Sequence, residues 1–235
     1  MNTFDTAILE TLNQFAQVSL VADSTVVFIA DSHLVKGAVL LLIFWWGWFR
    51  VSANRAMVRL HLISTLIGCF VAMVAARILA KSLPFRLRPM HDDGLDFTLP
   101  LTMEPTLLES WSAFPSDHAV LFYALSTGLF FISRYVGAFA LLFTTVFIAL
   151  PRIYLGLHYP TDIVAGASIG IVIALLFQKE RMLDKLSRPV VDFSERRPEF
   201  FYPALWLVTY QVADMFNSSR DLLAFLKTAF KNLLV

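Results

Sequence analysis

The chain has 235 residues, of which 57% are hydrophobic and only 16% are charged, and its mean hydropathy is +0.67. Soluble domains carry about a quarter charged residues, so this balance predicts an integral membrane protein. The formal net charge of +1 provides no basic field for nucleic acid, and the single Cys69 excludes an intrachain disulfide. The first residues lack a basic segment and a compact apolar core, so we expect no cleavable signal peptide.

Residues 1–33 are predicted to form an N-terminal interfacial segment. Apolar Ile8, Leu12 and Phe15 alternate there with polar Glu10 and Gln14. This pattern favours a helix that lies in the membrane interface over one that crosses the bilayer.

Residues 34–180 hold five apolar runs that approach or reach the roughly 20 residues required for a membrane-spanning helix. The runs cover residues 34–49, 57–80, 119–132, 136–150 and 163–177. They predict an all-α integral membrane fold, a bundle of about five transmembrane helices, with this segment as its core.

Residues 181–235 are predicted to form a C-terminal tail that is cytoplasmic or interfacial. Apolar side chains at helical spacing over residues 222–233 indicate an amphipathic helix. Residues 201–216 are apolar enough to form a sixth span, but Pro203, Gln211 and Asp214 favour an interfacial helix there.

The basic residues predict the orientation of the bundle. In a five-span arrangement, one side collects the cations that follow the first, third and fifth runs, and the positive-inside rule makes that side cytoplasmic. Four further cations fall on the opposite, outer side. They are Lys81, Arg86, Arg88 and Arg152. Because these cations break the rule, they indicate an anionic substrate at the outer face.

Three outer segments, residues 81–89, 114–118 and 152–162, carry most of the residues that suggest chemistry. A phosphoryl-transfer site needs fixed cations to meet the charge on the phosphate oxygens. Lys81, Arg88 and Arg152 can supply that charge, and a guanidinium matches two phosphate oxygens at once.

The same segments contain candidates for every other role in phosphoryl transfer. Neutral His158 is the candidate nucleophile, and Asp162, four residues later, can hold its tautomer and stabilise the imidazolium. His118 can protonate the leaving oxygen. Ser116 is predicted to cap a helix whose first N–H groups, including that of Asp117, would face an anion.

Other polar residues in the spans have a simpler interpretation. Arg77 and Arg86 are expected to extend toward the lipid head groups, and the remaining histidines are expected to be polar caps at the membrane boundary. Those histidines are His33, His61 and His91.

The three segments resemble the signature of the type-2 phosphatidic acid phosphatase family, which is Lys-x6-Arg-Pro, Pro-Ser-Gly-His and Ser-Arg-x5-His-x3-Asp. The first motif is intact from Lys81 to Arg88, and the others match in order and spacing. Asp117 stands where the family has Gly, and Pro151 stands where it has Ser. Soluble vanadium haloperoxidases share the signature, but the apolar runs argue against a soluble protein.

The resemblance implies a phosphatase that needs no metal or other cofactor and forms a phosphohistidine intermediate. It implies His158 as nucleophile, Asp162 as its partner and His118 as general acid. It also implies a set of residues that bind the phosphate. They are Lys81, Arg88, Ser116, Arg152 and the backbone N–H of Asp117.

The layout is similar to bacterial undecaprenyl-diphosphate phosphatases. The first expected substrate is therefore undecaprenyl diphosphate, at the outer face of a bacterial cytoplasmic membrane. Phosphatidylglycerophosphate or another lipid phosphate is the alternative substrate. A lipid-phosphate binder or transporter is the non-enzymatic alternative, although neither would need His118, His158 and Asp162 together. The oligomeric state is left open.

Overall fold

A computed structural model describes residues 2–233, with side chains described as far as residue 228. The regular structure of this part of the chain is helical, as the composition predicts. Before the site segments lie α1 (Thr3–Asn13), α2 (Leu20–Asp31), α3 (Val39–Phe49), preceded by a π-helical turn at Leu34–Ala38, and α4 (Arg55–Ser82).

The central helices are α5 (Asp117–Leu129), α6 (Arg134–Phe143), α7 (Leu150–Tyr154) and α8 (Pro160–Phe177), with a π-helical segment, Thr144–Ala149, joining α6 to α7. The C-terminal helices are α9 (Glu180–Met182), α10 (Arg188–Arg196), α11 (Pro198–Ala213) and α12 (Asn217–Leu233), with a π-helical segment, Leu183–Ser187, joining α9 to α10.

Three helical stretches in the described residues are long and apolar enough to cross a membrane. They are Arg55–Ser82, Arg134–Tyr154 and Pro160–Phe177. A fourth arises if Leu20–Asp31 and Leu34–Phe49, which meet at a bend of 62°, form one broken span. The bend lies next to the boundary that was predicted after residue 33. If the two helices form one broken span, α2 belongs to that span and not to the predicted interfacial segment.

The predicted span at residues 119–132 is instead a short central helix. α5 has 13 residues and is therefore about 20 Å long, less than the roughly 30 Å of the hydrocarbon core. Ten of its residues are buried. Its apolar sequence thus reflects contact with other helices on all sides, which hydropathy alone cannot distinguish from contact with lipid.

Two glycines of α8 let this helix pack closely against α5. A Cβ atom added at Gly166 would lie 2.7 Å from the carbonyl oxygen of Ser116, and one at Gly170 would lie 2.2 Å from that of Val120. Small residues four positions apart allow such close backbone approach in membrane helices. The packing brings the first residues of α5 beside those of α8, where the Ser116 N–H donates to the Asp162 carbonyl oxygen at 3.3 Å.

The helix α11 packs lengthwise and antiparallel against α3 and its preceding π turn. Near the start of α11, the Phe201 ring stacks on Trp48, with ring centroids 5.4 Å apart. At its end, Ala213 lies against Gly37, where an added Cβ would come within 2.5 Å of the Ala213 Cα. This contact places α11 along the side of the bundle and starts α12 at the end of the bundle that carries the site. At 16 residues, α11 is not among the described stretches that are long enough to cross a membrane on their own.

Candidate active site

A cavity of about 670 Å³ opens where α4, α5, α7 and α8 bring the three predicted segments together. Six of the eight predicted site residues line it. They are Lys81, Arg88, Asp117, His118, Arg152 and His158. Ser116 and Asp162 are fully buried outside the cavity lining.

A tight turn between α7 and α8 sets the positions of Arg152 and His158. Gly156 has a φ of +68°, a conformation that favours glycine. The N–H groups of Leu157 and His158 both donate to the carbonyl oxygen of Arg152, at 3.0 and 3.2 Å. The five-residue spacing of the motif therefore folds His158 back toward Arg152.

His158 is held by a backbone carbonyl and not by the predicted carboxylate. Its Nδ1–H donates to the Ala113 carbonyl oxygen at 2.8 Å, whereas Asp162 Oδ2 lies 3.9 Å from Nδ1, too far for a hydrogen bond. This contact fixes the tautomer and leaves a lone pair on Nε2, which lies 3.5 Å from Arg88 Nη1. Burial, with the nearby Arg88 charge, lowers the pKa of His158 well below its usual range, so the imidazole is neutral at pH 7.

Asp162 has a different set of partners. Oδ2 accepts from the Tyr159 N–H at 2.8 Å, and Oδ1 forms a short ion pair with Arg86. Arg86 also contacts buried Asp5 of α1 at 3.1 Å, and its guanidinium lies 4.1 Å from the centre of the Tyr159 ring. Arg86 is therefore part of the support of the site, contrary to the prediction that it only extends toward head groups.

Arg88 and Arg152 are buried cations whose partners are neutral. Each is 5% exposed, and neither makes a salt bridge with a described carboxylate. Arg88 donates to the Leu157 carbonyl oxygen at 2.5 Å and Arg152 to that of Ala30 at 2.6 Å, while both Nε atoms are buried without a described partner. Burial lowers the pKa of Arg88 to about 10, which leaves it charged at neutral pH. A buried charge is costly unless paired, so the two guanidiniums form a cradle suited to an anion.

His118 lies against this cradle. Arg152 Nη2 donates to His118 Nε2 at 2.7 Å. Because an arginine cannot accept a hydrogen bond, His118 carries its proton on Nδ1 in this arrangement. An anion that binds Arg152 would compete for this donor and would leave His118 Nε2 next to the anion.

Ser116 and Asp117 match their predictions only in part. The Ser116 hydroxyl caps α5 by accepting from the Ala119 N–H at 3.4 Å, as predicted, but it does not line the cavity, so the structure gives no support to its role as a phosphate donor. The Asp117 side chain lies in the cavity wall, where Oδ2 is 2.5 Å from Arg77 Nη2. Arg77 thus compensates the carboxylate that replaces the family glycine. In the sequence, the role of Arg77 was indicated only by its position as a charged residue inside an apolar run.

The other predicted features also have defined surroundings. Lys81 lies exposed at the cavity edge, in the last turn of α4. His33, His61 and His91 do not line the cavity and contact Asp214, Gln178 and the Pro105 carbonyl respectively. Within residues 2–233, no group of three or more His, Cys, Asp or Glu side chains is arranged to hold a metal ion.

Comparisons with known proteins agree with the fold and the motifs. The PAP2 superfamily model matches residues 65–181, which include all three segments. The bacitracin transport permease protein BcrC of Bacillus licheniformis is 29% identical over 70% of this chain and 74% of its own length. The undecaprenyl-diphosphatase BcrC of Bacillus subtilis is 26% identical over 80% of this chain and 89% of its own length.

A solved structure shares the fold. The crystal structure of Aquifex aeolicus LpxE covers 75% of this chain and 98% of its own, with a TM-score of 0.50 and 22% sequence identity. The family predicted from the three motifs is thus confirmed. The chain carries a PAP2 superfamily domain and belongs to that superfamily, as a multi-pass membrane phosphatase.

Proposed function

We propose that the protein hydrolyses undecaprenyl diphosphate to undecaprenyl phosphate at the outer face of a bacterial cytoplasmic membrane. One observation carries the mechanism. The His158 ring is fixed through Nδ1 to the Ala113 carbonyl, so its Nε2 lone pair lies beside the cradle formed by Arg88 and Arg152. The choice of lipid rests on the name of one relative, the undecaprenyl-diphosphatase BcrC of Bacillus subtilis.

The geometry suggests a two-step reaction. Arg88 and Arg152 bind the oxygens of the terminal phosphate, and His158 Nε2 attacks its phosphorus. The bond from phosphorus to the bridging oxygen breaks, and His118, protonated on Nε2 once the bound anion has taken Arg152 from it, gives that Nε2 proton to the oxygen. Water then attacks the phosphohistidine and returns a proton to His118 Nε2. The bond between phosphorus and His158 Nε2 breaks, inorganic phosphate leaves, and His158 regains its neutral state. Asp162 supports the imidazolium through space from 3.9 Å and orders the turn through Tyr159.

The outer location is proposed from charge. The cations at the other end of the bundle, including Arg55, Arg134 and Lys185, satisfy the positive-inside rule if that end is cytoplasmic. The cavity then opens at the outer leaflet.

Phosphate release from purified protein in detergent tests the proposal. The panel contains undecaprenyl diphosphate, undecaprenyl phosphate and phosphatidylglycerophosphate, with excess chelator present and His158→Ala as the inactive control. We expect the highest kcat/KM for undecaprenyl diphosphate. A preference for phosphatidylglycerophosphate would replace the substrate, and lipid binding without release would favour a binder or a transporter.

A further inference from the structure

The active-site cavity has a second wall that the proposed phosphoryl transfer does not use. Arg220, Asp221 and Ala224, from the first turns of α12, line the cavity together with the catalytic histidines. Its volume of about 670 Å³ lies within the range of roughly 300–1,000 Å³ typical of sites for whole small molecules. The cavity therefore has room for more than the single phosphate held by Arg88 and Arg152.

Arg220 brings a positive charge to this second wall. Its Nη2 donates to the Asn217 side chain and lies 3.5 Å from the Met215 carbonyl oxygen, while its guanidinium is 5.7 Å from the centre of the Trp111 ring. All three partners are neutral. Asp221 lines the same wall, but Arg220 makes no salt bridge with any described carboxylate. Its charge is therefore available to an anion in the cavity.

A second arginine on the same indole ring shows the contrast. The Arg77 guanidinium lies 4.6 Å from the centre of the Trp111 ring, but its charge is matched by Asp117 at 2.5 Å. Arg77 thus forms the direct ion pair with this carboxylate, while Arg220 acts on Asp117 only from a distance and makes no salt bridge with a described residue. Arginine in a fixed position is well suited to bind phosphate oxygens.

We infer that Arg220, positioned by Trp111 and Asn217, is a second phosphate subsite, which binds the phosphate that stays on the lipid while His158 receives the terminal one. This inference rests on the proposed function, because only a diphosphate substrate presents both groups at once. A monophosphate lipid would occupy the cradle of Arg88 and Arg152 and leave Arg220 unused. Arg220 would therefore set the preference for diphosphate over monophosphate lipids.

Matched substrates test this specificity. Farnesyl diphosphate and farnesyl phosphate share one tail, so the ratio of their kcat/KM values isolates the second phosphate. We expect Arg220→Gln to lower kcat/KM for the diphosphate by about 10- to 100-fold, as for the loss of a hydrogen bond to a charged group, and to change the monophosphate value by less than about threefold. Arg220→Lys, which keeps the charge but loses the fork, should fall between. Lys227→Gln removes an exposed charge from the same helix and should match the wild type.

An equal loss for both lipids, or no loss for either, would overturn the subsite while leaving the proposed function intact. Binding of inorganic pyrophosphate and orthophosphate, measured by calorimetry, supplies a readout that does not need turnover. We expect the wild type to bind pyrophosphate more tightly and Arg220→Gln to lose that advantage. If the wild type cleaves neither lipid but shows this binding difference, the proposed function fails and the subsite stands. If the difference is absent, the subsite is refuted.

Discussion

At the scale of single residues, the hydrogen-bond acceptor for the His158 ring is a neutral backbone carbonyl and not the expected carboxylate. The Ala113 carbonyl oxygen accepts a hydrogen bond from His158 Nδ1–H. The two carboxylate oxygens of Asp162 contact the Tyr159 N–H and Arg86 instead. A carbonyl fixes the tautomer as well as a carboxylate does. It stabilises an imidazolium less than a carboxylate would. Burial and the Arg88 charge lower the pKa of His158 and keep it neutral, the state that the proposed nucleophile requires.

The two histidines of the cavity should respond differently to the leaving group. We expect His158→Ala to abolish phosphate release from every substrate, because no other described group is placed to attack phosphorus. His118→Ala should slow release from the lipid diphosphate by about 10²–10⁴-fold, as for the loss of a general acid. It should retain most activity toward p-nitrophenyl phosphate, whose leaving group needs no proton.

Steady-state phosphate release by the two variants checks this assignment. Trapping of acid-labile, base-stable phosphate on the protein, as expected for a phosphohistidine, is a second measurement. Retained activity in His158→Ala toward the activated ester, with loss in His118→Ala, would exchange the two roles.

The pair of Asp117 and Arg77 gives a prediction about a departure from the family. Asp117→Asn removes the charge but keeps the backbone N–H and frees Arg77, so we expect kcat within about threefold of wild type. Arg77→Met leaves a partly buried carboxylate without its direct ion-pair partner, with only the more distant charges of Arg220 and Arg88, and should cost roughly 1–3 kcal/mol of stability. The double variant should recover part of that loss.

Thermal unfolding in detergent and a pH–rate profile measure both effects. If Asp117 acts instead as a proton-transfer group, Asp117→Asn would lose one limb of the pH–rate profile and about a hundredfold in rate.

At the scale of helices, the contact of α5 with α8 fixes the geometry of the site. Gly170→Leu would place side-chain atoms where the Val120 carbonyl already lies, 2.2 Å from the first added carbon. Backbone atoms cannot move aside as a side chain can. We therefore expect the variant to lose about 1–3 kcal/mol of folding stability or more, the usual cost of overpacking, and to show a large fall in kcat.

Ser168→Leu is the matched control for this packing. Ser168 lies in the same helix but is exposed, so the same side chain should fit there with little effect on unfolding temperature or rate. Equal behaviour of the two variants would show that the close approach of α5 and α8 is not needed for activity.

The sequence predicted the residues of the three motifs better than it predicted which helices and side chains surround them. Spacing identified Arg88, His118, Arg152 and His158, because the chemistry of the site restricts residue type at each of these positions. Spacing did not identify Arg220, because its position at the cavity depends on where α11 ends and α12 begins in the folded chain. The short length of α5 was also missed, since burial by other helices and burial by lipid select the same apolar residues.

At the scale of the whole molecule, the C-terminal region, predicted as a cytoplasmic or interfacial tail, packs along the helical bundle. α10 and the start of α11 lie near the end of the bundle where α4 begins, and α11 then follows α3 toward the site. At 16 residues, α11 is about 24 Å long, which is shorter than the roughly 30 Å of the hydrocarbon core, and it is not among the described stretches that could cross a membrane on their own. The chain thereby returns to the active-site end and contributes Arg220 to the cavity.

This path predicts which positions are accessible from each side of the membrane. On a Cys69→Ala background, we expect Asp93→Cys and Thr228→Cys to react with an impermeant thiol reagent in intact cells or spheroplasts, because both side chains are exposed at the active-site end. Arg55→Cys and Lys185→Cys, exposed at the opposite end, should react only after permeabilisation. Labelling of Thr228→Cys only after permeabilisation, with Asp93→Cys labelled outside, would show that α11 does not cross and that α12 does not reach the cavity. Reversal at all four positions would keep the packing but place the active site at the cytoplasmic face, where it could not act on lipids of the outer leaflet.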